Sequence, residues 1–173
     1  MLTDSFSAIT LPESLVTARF SDCDPFGHLN NARYIDYFLN AREDHLAQFY
    51  DFRLFQHVQQ NQAGWVVSHT EISYVRPVKA AEEVVIRTGV IHFSDSLLAI
   101  EGAMLDRETR KLKTLCWIEF TYISFKTTRT YSHPDELKHL FGPLQLDPTI
   151  FAAGFLNRVK DLRQSTANAA SAG

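Results

Sequence analysis

The spacing of apolar and polar positions divides the chain into three stretches with different periods. Residues 14–20 alternate weakly, as a short strand does. From Asn30–Asn31 to about Tyr50 the period is helical. Ile35, Phe38, Leu39, Leu46 and Phe49 fall on one face, and Arg33, Asp36, Asn40, Glu43 and Gln48 fall on the other. No glycine or proline interrupts this run, and Asn30 or Asn31 can cap it by accepting an unpaired first-turn N–H. Residues 51–64 read as a short helical piece and a loop. The period then becomes two over residues 65–75, 83–93, 97–105 and 112–125, all rich in Val, Ile, Phe, Tyr and Trp. The connections between these runs are too short for parallel crossovers, so the pattern predicts a meander of antiparallel neighbours. One strand, one long helix and four further strands make an α+β pattern, with the helix packed on one face of a single sheet.

After residue 125 the pattern is helical again. Residues 134–141 form one candidate helix. Residues 148–162 form another, with Asp147 as cap and Pro148 at the first helical position. Phe141, Leu144, Ile150, Phe151, Phe155, Leu156, Val159 and Leu162 are large apolar groups that this segment must bury on the core. Residues 165–173 hold almost nothing to bury and are expected to be a disordered tail. The expected organisation is an N-terminal arm (1–13), a main domain (14–125), a C-terminal helical extension (126–164) and that tail.

Composition excludes several classes. A chain of 173 residues can bury roughly 70% of its unfolded surface without a disulfide or metal. A hydrophobic share of 45% and a charged share of 21% are those of a globular domain. No apolar run is long enough to span a membrane, and the first twenty residues do not read as a secretory signal. A net charge of −3 provides no general attraction for nucleic acid or anionic lipid. The two cysteines, Cys23 and Cys116, are too few for a disulfide framework or a zinc site, so a cytoplasmic setting is the default. The 13 phenylalanines lie mainly in predicted strands and helix without interleaved basic residues, which makes them core rather than a base-stacking platform.

Chemistry concentrates in one run, Asp22-x-Asp24-Pro25-x-Gly27-His28-x-Asn30-Asn31-x-x-Tyr34. Pro25 biases Asp24 toward an extended backbone, and Gly27 permits a positive φ and a sharp turn into the helix. The helix start aims N–H groups and its positive end at the space in front of it. A carboxylate there can attack a carbonyl or activate water, and N–H donors can hold the developing oxyanion. Each residue alone could equally cap a turn or pack on the sheet. No further His or Cys stands at ligand spacing, so no metal is expected.

The run Asp22-Cys23-Asp24-Pro25-Phe26-Gly27-His28-Leu29-Asn30-Asn31-Ala32-Arg33-Tyr34 resembles the loop-to-helix motif of the 4-hydroxybenzoyl-CoA thioesterase family of hotdog-fold proteins, and Tyr74-Val75-Arg76-Pro77-Val78 is similar to the end of that family's strand after the central helix. The resemblance covers residues 14–125. It implies a long central helix wrapped by a curved antiparallel sheet of about five strands. It also implies a homodimer or homotetramer with the site at the subunit interface, and hydrolysis of an acyl-CoA thioester with no cofactor beyond the substrate's own CoA. Asp24 matches the catalytic carboxylate, with His28 and Asn31 in the same loop. Gly27, Tyr34, Gly64, Trp65 and Arg76 are the implied substrate-binding residues, and a backbone N–H near Gly64 would polarise the thioester carbonyl. Arg76, Arg87, Arg107, Arg110, Lys111 and Lys113 are candidates for the CoA phosphates. His69 and Glu71 share a strand face and could reach a partner's site. The alternatives are the same reaction on acyl carrier protein thioesters, or a non-catalytic acyl-CoA-binding module.

Overall fold

The computed structural model describes residues 10–171, with side chains through Ser165. Residues 1–9 of the expected arm and residues 172–173 of the expected tail lie outside the described residues. Strand β1 (Glu13–Thr17) leads through a single-turn helix at Phe20–Asp22 and a loop to a 3-10 turn, Asn31–Arg33, that runs into helix α1 (Tyr34–Tyr50). Of the two candidate caps it is Asn30 that serves, its side chain accepting the Ala32 N–H at 3.0 Å. The helix ends at Asp51, which takes the left-handed conformation with φ 50°. Helix α2 (Leu54–Asn61) follows, then strands β2 (Ala63–Tyr74), β3 (Glu83–Phe93), β4 (Leu97–Asp106) and β5 (Leu112–Ser124). Helices α3 (Asp135–Phe141), α4 (Pro148–Ala153) and α5 (Phe155–Ser171) complete the chain.

All pairings in the five-stranded sheet are antiparallel, in the order β1-β3-β4-β5-β2. This corrects one expectation. β2 and β3 are joined by only a short link but are not neighbours, because β2 pairs with β5 at the far edge. The sheet curls round α1, so the link passes the helix start, where the Val78 carbonyl accepts the Leu29 N–H at 2.8 Å.

β4 shows why the sheet is buried on both faces. Leu98, Ile100 and Met104 point toward α1, while Ala99, Ala103 and Leu105 point the other way. Gly102 lets α1 come close: a Cβ there would lie 2.5 Å from the Phe38 ring. The buried stripe of α1 is Tyr34, Phe38, Ala41, Arg42, His45 and Leu46. Ile35, Leu39 and Phe49, expected on the core face, flank it half-buried, because Arg42 and His45 occupy core positions.

α3 packs on the concave side, where Leu137, Phe141 and Leu144 join the core around α1. α4 and α5 cover the convex face of the chain's own sheet, with Phe155 and Val159 against Trp117, Leu105 and Leu112. Asp147 caps α4 as expected, but residues 148–162 are not one helix. Gly154, at φ 86°, breaks the run in two. The break turns Leu156 outward, and it is 72% exposed, contrary to its expected burial. The backbone of α5 continues through Ser171, across the boundary expected at 165. Among the described residues no helix is long and apolar enough to cross a membrane.

Candidate active site

The loop that leads into α1 is held by its own backbone. The Asp24 N–H donates to the His28 carbonyl at 2.8 Å, and the Gly27 N–H returns to the Asp24 carbonyl at 3.0 Å. Gly27 takes φ 76°, which makes the tight return possible. Asp24 Oδ1 accepts the N–H groups of Phe26 at 2.9 Å and His28 at 3.2 Å. One carboxylate oxygen therefore anchors the turn, while Oδ2 has no protein hydrogen bond among the described residues. Both readings of Asp24, turn former and reactive group, fit one side chain at once. The loop is also stitched to the β2–β3 link, where the Ala80 N–H donates to the Gly27 carbonyl at 3.0 Å.

Asp22, two residues earlier, faces away. Its Oδ2 accepts the Tyr37 hydroxyl proton at 2.8 Å, and the Tyr37 oxygen accepts the Arg19 N–H at 3.0 Å. Asp22 therefore lines a separate polar groove between β1 and α1, with Arg19, Arg33 and Asp36.

Asp24, His28, Asn31, Tyr34 and Arg76 come together around a hollow of about 240 Å³. Leu29, Tyr74, Val75 and Pro77 complete its walls. Tyr34 is buried and accepts the Val78 N–H at 3.3 Å, and burial pushes its phenol above the usual tyrosine range. Tyr74 meets the Tyr34 ring edge-on at 5.1 Å and donates its hydroxyl to the Asn31 carbonyl at 3.0 Å. Arg76 is exposed, and its Nη1 donates to the Leu112 carbonyl at 2.8 Å. That bond holds a cation at the rim of the hollow. Two first-turn amides are already engaged, Ala32 with Asn30 Oδ1 and Arg33 with the Asn30 carbonyl.

Gly64 and Trp65 are not in this hollow within one chain. They begin β2, whereas the hollow takes the residues at its end. Trp65 belongs to an aromatic group with Phe52, His57, Tyr122, His133 and Phe141. Of the cations considered for phosphates, only Arg76 lines the hollow. Arg107 pairs with Glu83, Arg110 with Glu13 and Lys113 with Glu82. His69 and Glu71 face each other at 3.7 Å on β2. Cys116 is fully buried and its thiol is pushed up to about 12, far from a nucleophile's range, and Cys23 Sγ donates to the Arg19 carbonyl. Among the described residues no cluster of His, Cys, Asp or Glu could hold a metal ion. Tyr74 and Pro77 are wall residues that the sequence reading placed in the motif but did not assign to the site.

Residues 18–141 match the family model of the thioesterase-like superfamily, a span that includes α3. Among solved structures the chain is similar to the probable thioesterase YbaW from Escherichia coli (21% identical, TM-score 0.67, covering 78% of this chain and 98% of that one). It is also similar to a 1,4-dihydroxy-2-naphthoyl-CoA thioesterase from Synechocystis (11% identical, TM-score 0.70, covering 76% and 96%). A third likeness is to a DHNA-CoA thioesterase from Staphylococcus aureus (19% identical, TM-score 0.66, covering 90% and 94%). At these identities the likeness establishes the hotdog fold. No curated protein sequence matches the chain.

Proposed function

The chain belongs to the thioesterase-like superfamily, and from that premise we propose that it hydrolyses acyl-CoA thioesters to the free acid and CoA, with Asp24 as the reactive carboxylate. The observation that carries this reading is the free Oδ2 of Asp24, held at the wall of a hollow whose rim bears Arg76. Two backbone N–H groups orient Oδ1, so Oδ2 meets a substrate without first reorganising.

As general base, Asp24 takes a proton from water as the water oxygen bonds to the thioester carbon. The tetrahedral intermediate then expels the CoA sulfur, which receives the proton as a thiol. As nucleophile, Asp24 displaces the CoA thiolate to form an anhydride; water cleaves it to the acid and the free carboxylate, and the proton released by that water converts the thiolate to the thiol. His28 and Asn31 position the water or substrate in either route. Arg76 is the candidate for a CoA phosphate, which a guanidinium binds well. No metal or bound cofactor enters either route.

A second copy of the chain accounts for Gly64 and Trp65. The outer edge of β2 is unpaired, and its middle residues, Val66 to His69, are exposed. If β2 pairs antiparallel with its copy about the strand's midpoint, Gly64 of the partner subunit falls opposite Ser73, next to Tyr74 in the hollow's wall. The partner's β2 then supplies the backbone N–H that polarises the carbonyl.

Thiol release measured over short, medium, long and aromatic acyl-CoAs, with an acyl carrier protein thioester beside them, tests the reading. Asp24→Asn keeps the shape but can neither attack nor take a proton. It should lower turnover by about 10²–10⁴ while acyl-CoA binding and melting stay close to those of the unaltered chain. Turnover within threefold of the unaltered protein would remove Asp24 from the mechanism. Binding without thiol release from any thioester would leave a binding module instead.

A further inference from the structure

Beneath α1, away from the Asp24 hollow, a second cavity lies between the helix, β3, β4, the turn after α3 and the segment at Thr10 and Pro12 that leads into β1. Its volume is about 30 Å³, room for roughly two water molecules. The walls are mostly apolar, including Leu46, Val90, Leu98, Ile100, Phe141 and Leu144. Thr10, Tyr50 and Thr88 also line it, but its two unpartnered buried nitrogens belong to Arg42 and His45, three residues apart on one face of α1.

Both are buried and incompletely bonded. Arg42 is 7% exposed, and its Nη2 has no hydrogen-bond partner. Its guanidinium lies 4.3 Å from the centre of the Phe120 ring and makes no ion pair among the described residues. Two other sequestered cations are paired, Lys113 with Glu82 and Arg158 with Glu101; Arg87 also has an unpartnered Nε but is only half-buried. Burial lowers Arg42 to about 10, which still leaves it charged at neutral pH. The acids nearest this pair are exposed, with Glu43 and Asp44 on α1 itself and Glu13 on β1 engaged by Arg110.

His45 is 1% exposed. Its Nδ1 is 2.8 Å from Thr88 Oγ1, and its Nε2 has no partner. When the Thr88 hydroxyl donates to Nδ1, the ring proton sits on Nε2. The cavity then receives two N–H donors and a full positive charge in a mostly apolar setting. A buried unpaired cation is costly, and water alone cannot neutralise it.

We infer that this cavity is a binding site for a small monovalent anion of halide size, held between Arg42 Nη2 and His45 Nε2 as the counter-ion of the buried guanidinium. A volume of about 30 Å³ matches a halide better than a larger anion. The site is separate from thioester hydrolysis and stands whether or not that reading holds.

The probe is bromide. The protein is exchanged into gluconate, an anion too large for the cavity, and bromide is titrated in at constant ionic strength while Tm is followed. A saturable rise in Tm is expected, and it should be absent in Arg42→Met, whose apolar side chain needs no counter-ion. Crystals grown in bromide should show an anomalous peak within hydrogen-bonding distance of both nitrogens. If Arg42→Met does not fold, that peak in the unaltered protein decides. An equal bromide response in both proteins overturns the inference. So does a cavity occupied by water or by a carboxylate of the chain itself. A peak without any effect on Tm would mark an adventitious ion only, and would overturn it as well.

Discussion

At the scale of single residues, two pairs of side chains divide the molecule's chemistry. Asp24 and His28 share one turn, because the His28 N–H bonds to Asp24 Oδ1. That bond uses the backbone of His28, so the imidazole can be removed without freeing the carboxylate. His28→Ala should therefore cost less turnover than Asp24→Asn. If His28→Ala is the more damaged in thiol release, the imidazole is the base and the roles are reversed. His57 and His133 are a structural pair. Trp65 Nε1 donates to His133 Nε2 at 2.9 Å, so the ring proton is on Nδ1, 3.0 Å from the Ser94 carbonyl. The Asn61 amide donates to His57 Nδ1, which puts the His57 proton on Nε2, toward the Tyr122 oxygen at 2.9 Å. A second proton on either ring would face a donor. Burial holds His57, His133 and also His45 below the usual histidine range. The unfolded chain then binds protons more readily than the folded one, so their contribution to stability is present above about pH 6.5 and is lost as pH falls below it. Tm should be flat at neutral pH and fall from pH 6.5 downward, and His133→Gln should shallow that fall. An unchanged slope would remove His133 from the cause.

At the scale of elements, the parts legible in the sequence are those set by local physics. The four long strands follow from a period of two, and the Asp24 loop follows from Pro25 and Gly27, which constrain their own backbones. Pairing is not local. Nothing between residues 65 and 93 states that β2 lies against β5, so the walls contributed by Tyr74 and Pro77 were less legible than the loop they face. Arg42 and His45 were hidden for a related reason: charge on a helix face normally marks solvent, and only the closed sheet reveals that theirs is core. The apolar face that docks α5 was legible in Phe155 and Val159, but its polar anchor was not. That anchor is Glu101 on β4, 2% exposed, which accepts two bonds from Arg158 at 2.8 Å and one from Trp117 Nε1 at 3.0 Å. Arg158→Met would leave that carboxylate buried and unpaired, at a cost of about 3–5 kcal/mol. In a chain of this length that corresponds to a fall in Tm of roughly 10 °C. Adding Glu101→Leu should recover much of the loss, because two apolar groups need no partner. A double variant no more stable than Arg158→Met would mean that packing, not the ion pair, holds α5.

At the scale of the whole molecule, the decisive feature is that one edge of the sheet is finished and the other is open. β1 is short, five residues, and Glu13 on it is tied to Arg110. β2 runs twelve residues, with Val66 40% and Val67 51% exposed. A long edge with unpaired N–H and C=O groups and apolar side chains is a template for another strand. Helices already cover the convex face, so a second copy meets the least obstruction along β2. In solution the chain should therefore have a light-scattering mass of at least twice 19.7 kDa at micromolar concentration. Ser68→Lys with His69→Lys places like charges opposite each other at the middle of that edge and should shift the mass toward one chain. Both side chains are exposed and remote in sequence from Asp24, so the hollow should remain formed within each subunit. If catalysis takes its carbonyl-polarising N–H from Gly64 of the partner subunit, thiol release should fall with the mass, even though the loop is intact. A native chain that runs as a monomer would end the shared-site picture. A double-lysine variant that is monomeric and fully active would show instead that each subunit assembles its site alone.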